Sequence, residues 1–265
     1  MPLNGYEMEI NDENTQKACH LCFIAKEKDN FMQVCWHREK YLKHNSVNYR
    51  SQVQFYEEET DFEREYSPDC INTMIAKAHD HGFFVTYNHP TWSRENFDDY
   101  CKYKGMDAME IVNFISLQEG NSEYNERVYE DMLYAGNKIF CIASGDNHNK
   151  VPQTSRAFDS AFVMIKAPAL EYRAVTRALE RGDFYASTGA VIDELYIEDG
   201  KVHITFPEAI KVSYITPLRH AKSVTADPES AIKSASFEIA EQDTWFRLKV
   251  TDRGGKCAYT NAYFL

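Results

Sequence analysis

Phe83-Phe84-Val85-Thr86-Tyr87-Asn88-His89-Pro90 is an apolar run that stops abruptly at two polar residues and a proline. A short, continuous apolar run bounded by turn signals reads as a buried strand. The residues before it read as a helix: Ser67-Pro68 supplies an N-cap followed by proline at the first helical position. Ile71, Met74, Ile75 and Ala78 form its apolar stripe, and Gly82 is its stop. Working outward, strands are expected over residues 6–10, 20–25, 108–112, 138–143 and 160–166, and helices over 94–103, 124–135 and 170–180. This alternation is the pattern of repeated β-α units around a mainly parallel sheet, an α/β fold.

Past Gly189 the texture changes to short alternating runs at 191–197, 201–206, 211–215, 236–239, 245–251 and 258–264. Asp199-Gly200 and Gly254-Gly255 read as hairpin turns. The expected organisation is therefore a unit over residues 1–190 and a small antiparallel β-domain over 191–265. The stretch 221–230 reads as polar loop, and no internal repeat or low-complexity tract interrupts either part.

At 265 residues the chain can bury a sizeable core without disulfide staples. Its 41 acidic and 29 basic residues give a formal charge of -12, which opposes the counterion-release attraction behind nucleic-acid binding. Seven cysteines without a CxxC pair read as reduced thiols, and the expected compartment is the cytoplasm. No stretch approaches the ~20 apolar residues of a membrane helix, and residues 1–14 lack both a basic start and an apolar run, so neither a membrane partner nor an export signal is expected.

Polar residues just after a strand are where parallel α/β folds place their chemistry. His89 meets that description, as do Asp146 and His148 in Ser144-Gly145-Asp146-Asn147-His148-Asn149 after the run 138–143. In extended backbone, residues two apart project to one face, so Asp146 and His148 could converge on a cation. A carboxylate with an imidazole suits zinc, manganese or iron better than calcium. In Tyr6-Glu7-Met8-Glu9-Ile10 two carboxylates share a strand face, and His20 opens the next run. Each segment alone has a blander reading, as a capping histidine, an exposed polar loop or solvated strand polars. His79-Asp80-His81 lies in a helical turn, where residues two apart diverge by roughly 200° and cannot share a metal. His37, His44, His203 and His220 read as surface residues, and Glu57-Glu58-Glu59 as a solvated charge run. No GxSxG, P-loop or GxGxxG is present, which removes support for serine-hydrolase, nucleotide-phosphotransfer and dinucleotide chemistry.

Strand-Asn-His-Pro, strand-Glu-Ile-Val-Asn and strand-Ser-Gly-Asp-Asn-His, followed by Phe184-Tyr185-Ala186-Ser187-Thr188-Gly189, resemble the polymerase and histidinol phosphatase (PHP) superfamily in order and type. The resemblance implies a distorted seven-stranded β/α barrel of TIM-like kind, two or three divalent metal ions and hydrolysis of a small phosphorylated substrate. By the same resemblance Glu7 is the bridging ligand, with Glu9 as its alternative, and His20, His89, Asp146 and His148 are the other ligands. Arg94 and Arg156, each following a site-bearing loop, are candidates for holding substrate phosphate. The tail, with Trp245-Phe246-Arg247-Leu248-Lys249-Val250 and Ala258-Tyr259-Thr260-Asn261, is similar to the β-domain appended to many members.

The family's opening His-x-His and Thr-Asp-His strands do not precede Glu7. The expectation is an incomplete barrel lacking two β-α units, with weak metal binding and an open edge across which a homodimer could form. A degenerate barrel acting as a binding or structural module, and another metal hydrolase such as an amidohydrolase, remain alternative readings.

Overall fold

Residues 13–16 are too few for a helical crossover, so β1 (Gly5–Asp12) and β2 (Lys17–Ala25) pair antiparallel, from Gly5 opposite Ile24 to Asp12 opposite Lys17. A long connection follows. It carries the two-residue parallel pair β3 (Met32–Gln33) and β4 (Gln54–Phe55), with a 3-10 helix, His44–Gln52, between them. Helix α1 (Pro68–Asp80) then leads into β5 (Phe83–Asn88), which pairs antiparallel with β2. This computed structural model describes residues 1–148 and 160–265, the side chain of His44 excepted. Arg156 and Asn149 lie outside the described residues.

The α1 signals act as read. Ser67 Oγ accepts the Cys70 N–H at 3.3 Å, and Gly82 beyond the helix takes a left-handed φ of 79°. Ile71, Met74, Ile75 and Ala78 are buried in one cluster with Leu21, Phe23, Val85 and Tyr87 from one face of the sheet. Full burial of each large apolar side chain in that stripe contributes roughly 1.5–3 kcal/mol. Helix α2 is a single turn, Phe97–Tyr100, where a helix over 94–103 was expected. β6 (Ala108–Asn113) and β7 (Phe140–Ser144) extend the sheet in parallel with β5, with α3 (Phe114–Gln118) and α4 (Glu126–Tyr134) between them.

β8 (Phe162–Ile165), α5 (Tyr172–Arg181) and β9 (Phe184–Ser187) follow. The remaining strands are β10 (Glu194–Glu198), β11 (Lys201–Ala209), β12 (Lys211–Ile215), β13 (Lys222–Thr225), β14 (Ile232–Glu238), β15 (Trp245–Thr251), β16 (Cys257–Thr260) and β17 (Tyr263–Phe264). They form a three-stranded sheet, β10-β11-β14, and a seven-stranded sheet, β13-β12-β15-β16-β9-β8 with β17 on β15. The seven-stranded sheet therefore draws strands from both sides of residue 190. β13 lies inside the stretch read as polar loop. All four of its residues are exposed, so no apolar alternation marked it.

The chain is not a β/α barrel, seven-stranded or incomplete. It is β-rich, with four separate sheets among the described residues, and the five-stranded sheet is mixed, in the order β1-β2-β5-β6-β7, without closing on itself. Apolar runs specify burial, but the same runs serve parallel and antiparallel partners, and the repeated β-α texture concealed the reversal at β2. No described helix is long and apolar enough to cross a membrane.

Two polar devices join the sheets. Asn261, after β16, accepts the Cys141 N–H of β7 at 2.9 Å and donates to the carbonyls of Gly182 and Phe184 at 3.1 and 3.0 Å. Arg247 of β15, only 1% exposed, donates to Glu126 and Glu130 of α4 at 3.1 and 2.6 Å, and Lys249 also pairs with Glu126. Removing one partner of a fully buried pair costs roughly 3–5 kcal/mol. Glu126 and Glu130 keep 26% and 23% exposure, which softens that cost. Arg247→Met is expected to lower unfolding free energy by roughly 2–3 kcal/mol in urea titration; a loss under about 0.5 kcal/mol, the range of ordinary surface substitutions, would show that the ion pairs do not hold the sheets together.

Candidate metal centre

Alternation along β1 turns Met8 and Ile10 into the core and Glu7 and Glu9 to the opposite face. The antiparallel register sets His20 opposite Glu9 and Asn88 opposite His20, while Cys22 stands opposite Glu7. Glu7 reaches diagonally across the strands, and its Oε1 lies 3.2 Å from His20 Nδ1. Asn88 Nδ2 donates to the same oxygen at 3.2 Å, and His89 Nε2 lies 3.4 Å from it. Glu7, His20 and His89 thus offer ligand atoms that all lie within 4.8 Å of one another.

His89, the residue after β5, has a φ of 29°, a strained value for a side chain with a Cβ, and such strain persists only where surroundings enforce it. The enforcement is visible. Its N–H donates to Glu110 Oε2 at 2.8 Å, and its Nδ1 lies 3.2 Å from Ser93 Oγ. The following loop is tied down by Glu95, which accepts from three tyrosines, Tyr66, Tyr87 and Tyr103, at 2.9, 2.6 and 2.5 Å. Trp92 rises from that loop over both imidazoles, with ring centroids 5.4 Å from His20 and 5.0 Å from His89.

Asp146 and His148 lie outside the three-residue group. Asp146 has a φ of 50°, so the chain does not continue extended beyond β7, yet Asp146 Oδ1 and His148 Nδ1 lie 3.7 Å apart. His148 Nδ1 faces the Asp146 carbonyl at 2.9 Å, and its side chain is 53% exposed. Asp146 connects to the group indirectly: Asn113 Nδ2 donates to Asp146 Oδ2 at 3.2 Å and to Glu110 Oε2 at 2.9 Å. Arg94 is exposed in the loop after His89, with a φ of 61°. Glu9 turns to Lys43 at 2.7 Å, leaving Glu7 as the inward carboxylate.

The set-aside histidines behave variously. His79 Nε2 faces the Gly105 carbonyl and His81 Nε2 faces Glu59, so the pair diverges as helical geometry requires. His37 is buried, contrary to the surface reading, with its Nε2 3.2 Å from Glu63. Glu110, Asn113 and Trp92 escaped the list of site residues. Glu110 sits inside an apolar strand, where a buried carboxylate stands out, but nothing local says which neighbour it serves.

Burial works against the charge on Glu7, but hydrogen bonds from His20 and His89 hold its carboxyl well below the ordinary range. For His89 the burial that would depress it is outweighed by Glu7, then by the charges of Glu110 and Asp146, and its value is pushed up to about 9. Burial raises Glu110 and Glu95 to about 7, and lifts the Cys22 thiol, 3.0 Å from Asn88 Nδ2, to about 12, which keeps it protonated at neutral pH in the metal-free protein. No family model matches this chain, and no match was found among curated proteins or solved structures.

The signs of these shifts set a pH profile for the metal-free protein. Glu95 and Glu110 stabilise the fold fully below their ordinary 4.5 and lose that contribution as pH rises through about 7. His89 contributes fully below 6.5 and loses it as pH rises through about 9. Glu7, shifted downward, contributes above 4.5 and loses it in acid. Thermal midpoints in chelator should therefore fall between pH 5 and 9, and Glu95→Gln should flatten the pH 5–7 part by on the order of 3 kcal/mol. A profile unchanged by that substitution would remove Glu95 as the titrating group.

Proposed function

We propose that Glu7, His20 and His89 hold a divalent cation and that the protein is a metal-dependent hydrolase of phosphate esters. The observation carrying this reading is the convergence of three residues from separate strand segments, 13 and 69 positions apart, with His20 Nε2 buried and lacking a hydrogen-bond partner. A buried polar atom left unpaired is costly, and an absent ion or water is one way such an atom is satisfied. Two imidazoles with one carboxylate form a donor set that suits zinc, manganese or iron, and three protein ligands leave a coordination position open. The likeness to PHP phosphoesterases in the segments bearing Glu7, His20 and His89 supports the choice of phosphate ester.

Bound there, a divalent cation supplies Lewis acidity and a nucleophilic water near neutral pH. The protein's own part is orientation. Asn88 fixes the Glu7 carboxylate, Ser93 and the Glu110 contact fix His89, and Trp92 packs against both imidazole rings. The exposed guanidinium of Arg94, in the loop that carries His89, is the candidate for a substrate phosphate oxygen.

Titration with zinc or manganese should show one site per chain. Asn88→Ala, which removes a hydrogen bond from Glu7, should weaken it roughly 10–100-fold. Hydrolysis of p-nitrophenyl phosphate should require the metal and disappear in His89→Ala. Metal uptake unaltered by His20→Ala and His89→Ala would sink the site; metal uptake without phosphate-ester hydrolysis would sink the phosphoesterase assignment and leave the site standing.

A further inference from the structure

Of the three tryptophans in the chain, Trp36 and Trp245 are buried, at 8% and 4% exposure. Trp92 keeps 39%, although it sits in the loop that carries His89 and packs against both imidazoles of the candidate centre. A lone exposed aromatic is ordinary on a protein surface. This one differs in how it is held and in what it adjoins.

Burial alternates along the loop: Ser93 and Glu95 are buried, and Trp92 and Arg94 between and beside them are exposed. The inward residues are anchored. The Ser93 carbonyl accepts the Ala18 N–H at 3.1 Å, its Oγ lies 3.2 Å from His89 Nδ1, and Glu95 takes its three tyrosine hydroxyls. The main-chain N–H of Trp92 itself is held by the buried carboxylate of Glu123 at 2.6 Å. The backbone beneath the indole is therefore fixed from both sides, so a ligand that settles on the ring has little loop motion to arrest.

The indole plane meets that of His20 at 58° and that of His89 at 76°, so neither imidazole lies flat against it. Among the described residues no other ring contacts it, no cation sits over it and no hydrogen bond engages its indole N–H. A rigidly held, partly exposed π-face suits a planar aromatic group, whereas an aliphatic group of equal size gains burial there but no ring-on-ring contact. Both imidazoles that the indole touches belong to the candidate ligands, so a ring resting on it is also beside an ester held at the centre. We propose that Trp92 sets the substrate class: the phosphate ester carries an aromatic ring next to its phosphate, and that ring stacks on the indole. The proposal rests on the metal-dependent phosphoesterase reading and narrows it. Arg94, the next exposed residue of the loop, offers the charge for the phosphate, so one loop divides recognition between ring and anion.

The test is calorimetric titration of the zinc-loaded full chain with phenylphosphonate and cyclohexylphosphonate, which share an anionic head and differ in whether the ring is flat. Phenylphosphonate is expected to bind roughly three- to tenfold more tightly, the range that a favourable aromatic pair contributes beyond burial. Trp92→Leu should reduce that preference below about twofold with zinc uptake unchanged, and Trp92→Phe should keep most of it. Equal binding of the two phosphonates by the unaltered chain, or a preference that survives Trp92→Leu, overturns the proposal. Loss of zinc together with the preference in both variants gives the indole a structural part only, and overturns it as well. The two readings fail differently: absence of zinc uptake by the unaltered chain sinks the metal centre and this inference with it, whereas stoichiometric zinc without a preference for the flat ring sinks the substrate class alone.

Discussion

Glu9, His20 and Asn88 stand opposite one another on three successive antiparallel strands, with Glu7, Cys22 and Thr86 as the next row on the same face. The candidate centre depends on that register, because a slip of one residue would turn every one of these side chains to the other face. The opposite face makes such a slip prohibitive. Met8, Leu21 and Tyr87 form one buried row and Tyr6, Phe23 and Val85 another, and both join the cluster that takes the apolar stripe of α1. Core packing on one side of the sheet thus positions polar chemistry on the other.

His89 is delivered by a different device. It lies beyond the last residue of β5, where sheet geometry no longer dictates direction, and a network of polar groups takes over. Glu95 gathers hydroxyls from Tyr66, Tyr87 and Tyr103, which belong to the approach to α1, to β5 and to the segment after α2. Trp92 is fixed through its N–H to Glu123 at 2.6 Å, and Thr91 donates to Asn125 at 2.8 Å. His89, Thr91, Trp92 and Glu95 in this loop each have a named partner, which is the pattern expected where conformation is held for a ligand.

Charge at this end of the sheet is unbalanced. Glu95, Glu110 and Glu123 are all buried, and burial raises the proton affinity of each. Glu7 instead stays ionised through its two imidazoles, and His89 is drawn toward its charged form by Glu7, Glu110 and Asp146. A bound cation would take over the role that the His89 proton plays in neutralising these carboxylates. The same acidic strand continues past the candidate centre, where Glu9, already paired with Lys43, lines a cleft beside β1.

Much of the local structure was legible in the sequence. The cap at Ser67, the stripe of α1, the buried run of β5 and the approximate positions of β6, β7 and β15 all followed from spacing and turn residues, because those signals act within a few positions along the chain. Glu7, His20 and His89 were legible as polar residues flanking or lining apolar strands; Asp146 and His148, read beside them, lie 3.7 Å from each other but outside that three-residue group. Strand direction was not legible. An apolar strand buried on both faces looks the same whether its neighbour runs parallel or antiparallel, and the β-α texture led to a barrel that the mixed, open sheet does not form. The sequence by itself determined the buried apolar stripe of α1, the buried run of β5 and the approximate places of those elements. Only the tertiary structure decided which strands are neighbours, that Glu110 serves His89, and that the edge of β1 faces a cleft. Those outcomes depend on side chains dozens of positions apart meeting across the sheet, and no local pattern encodes such meetings.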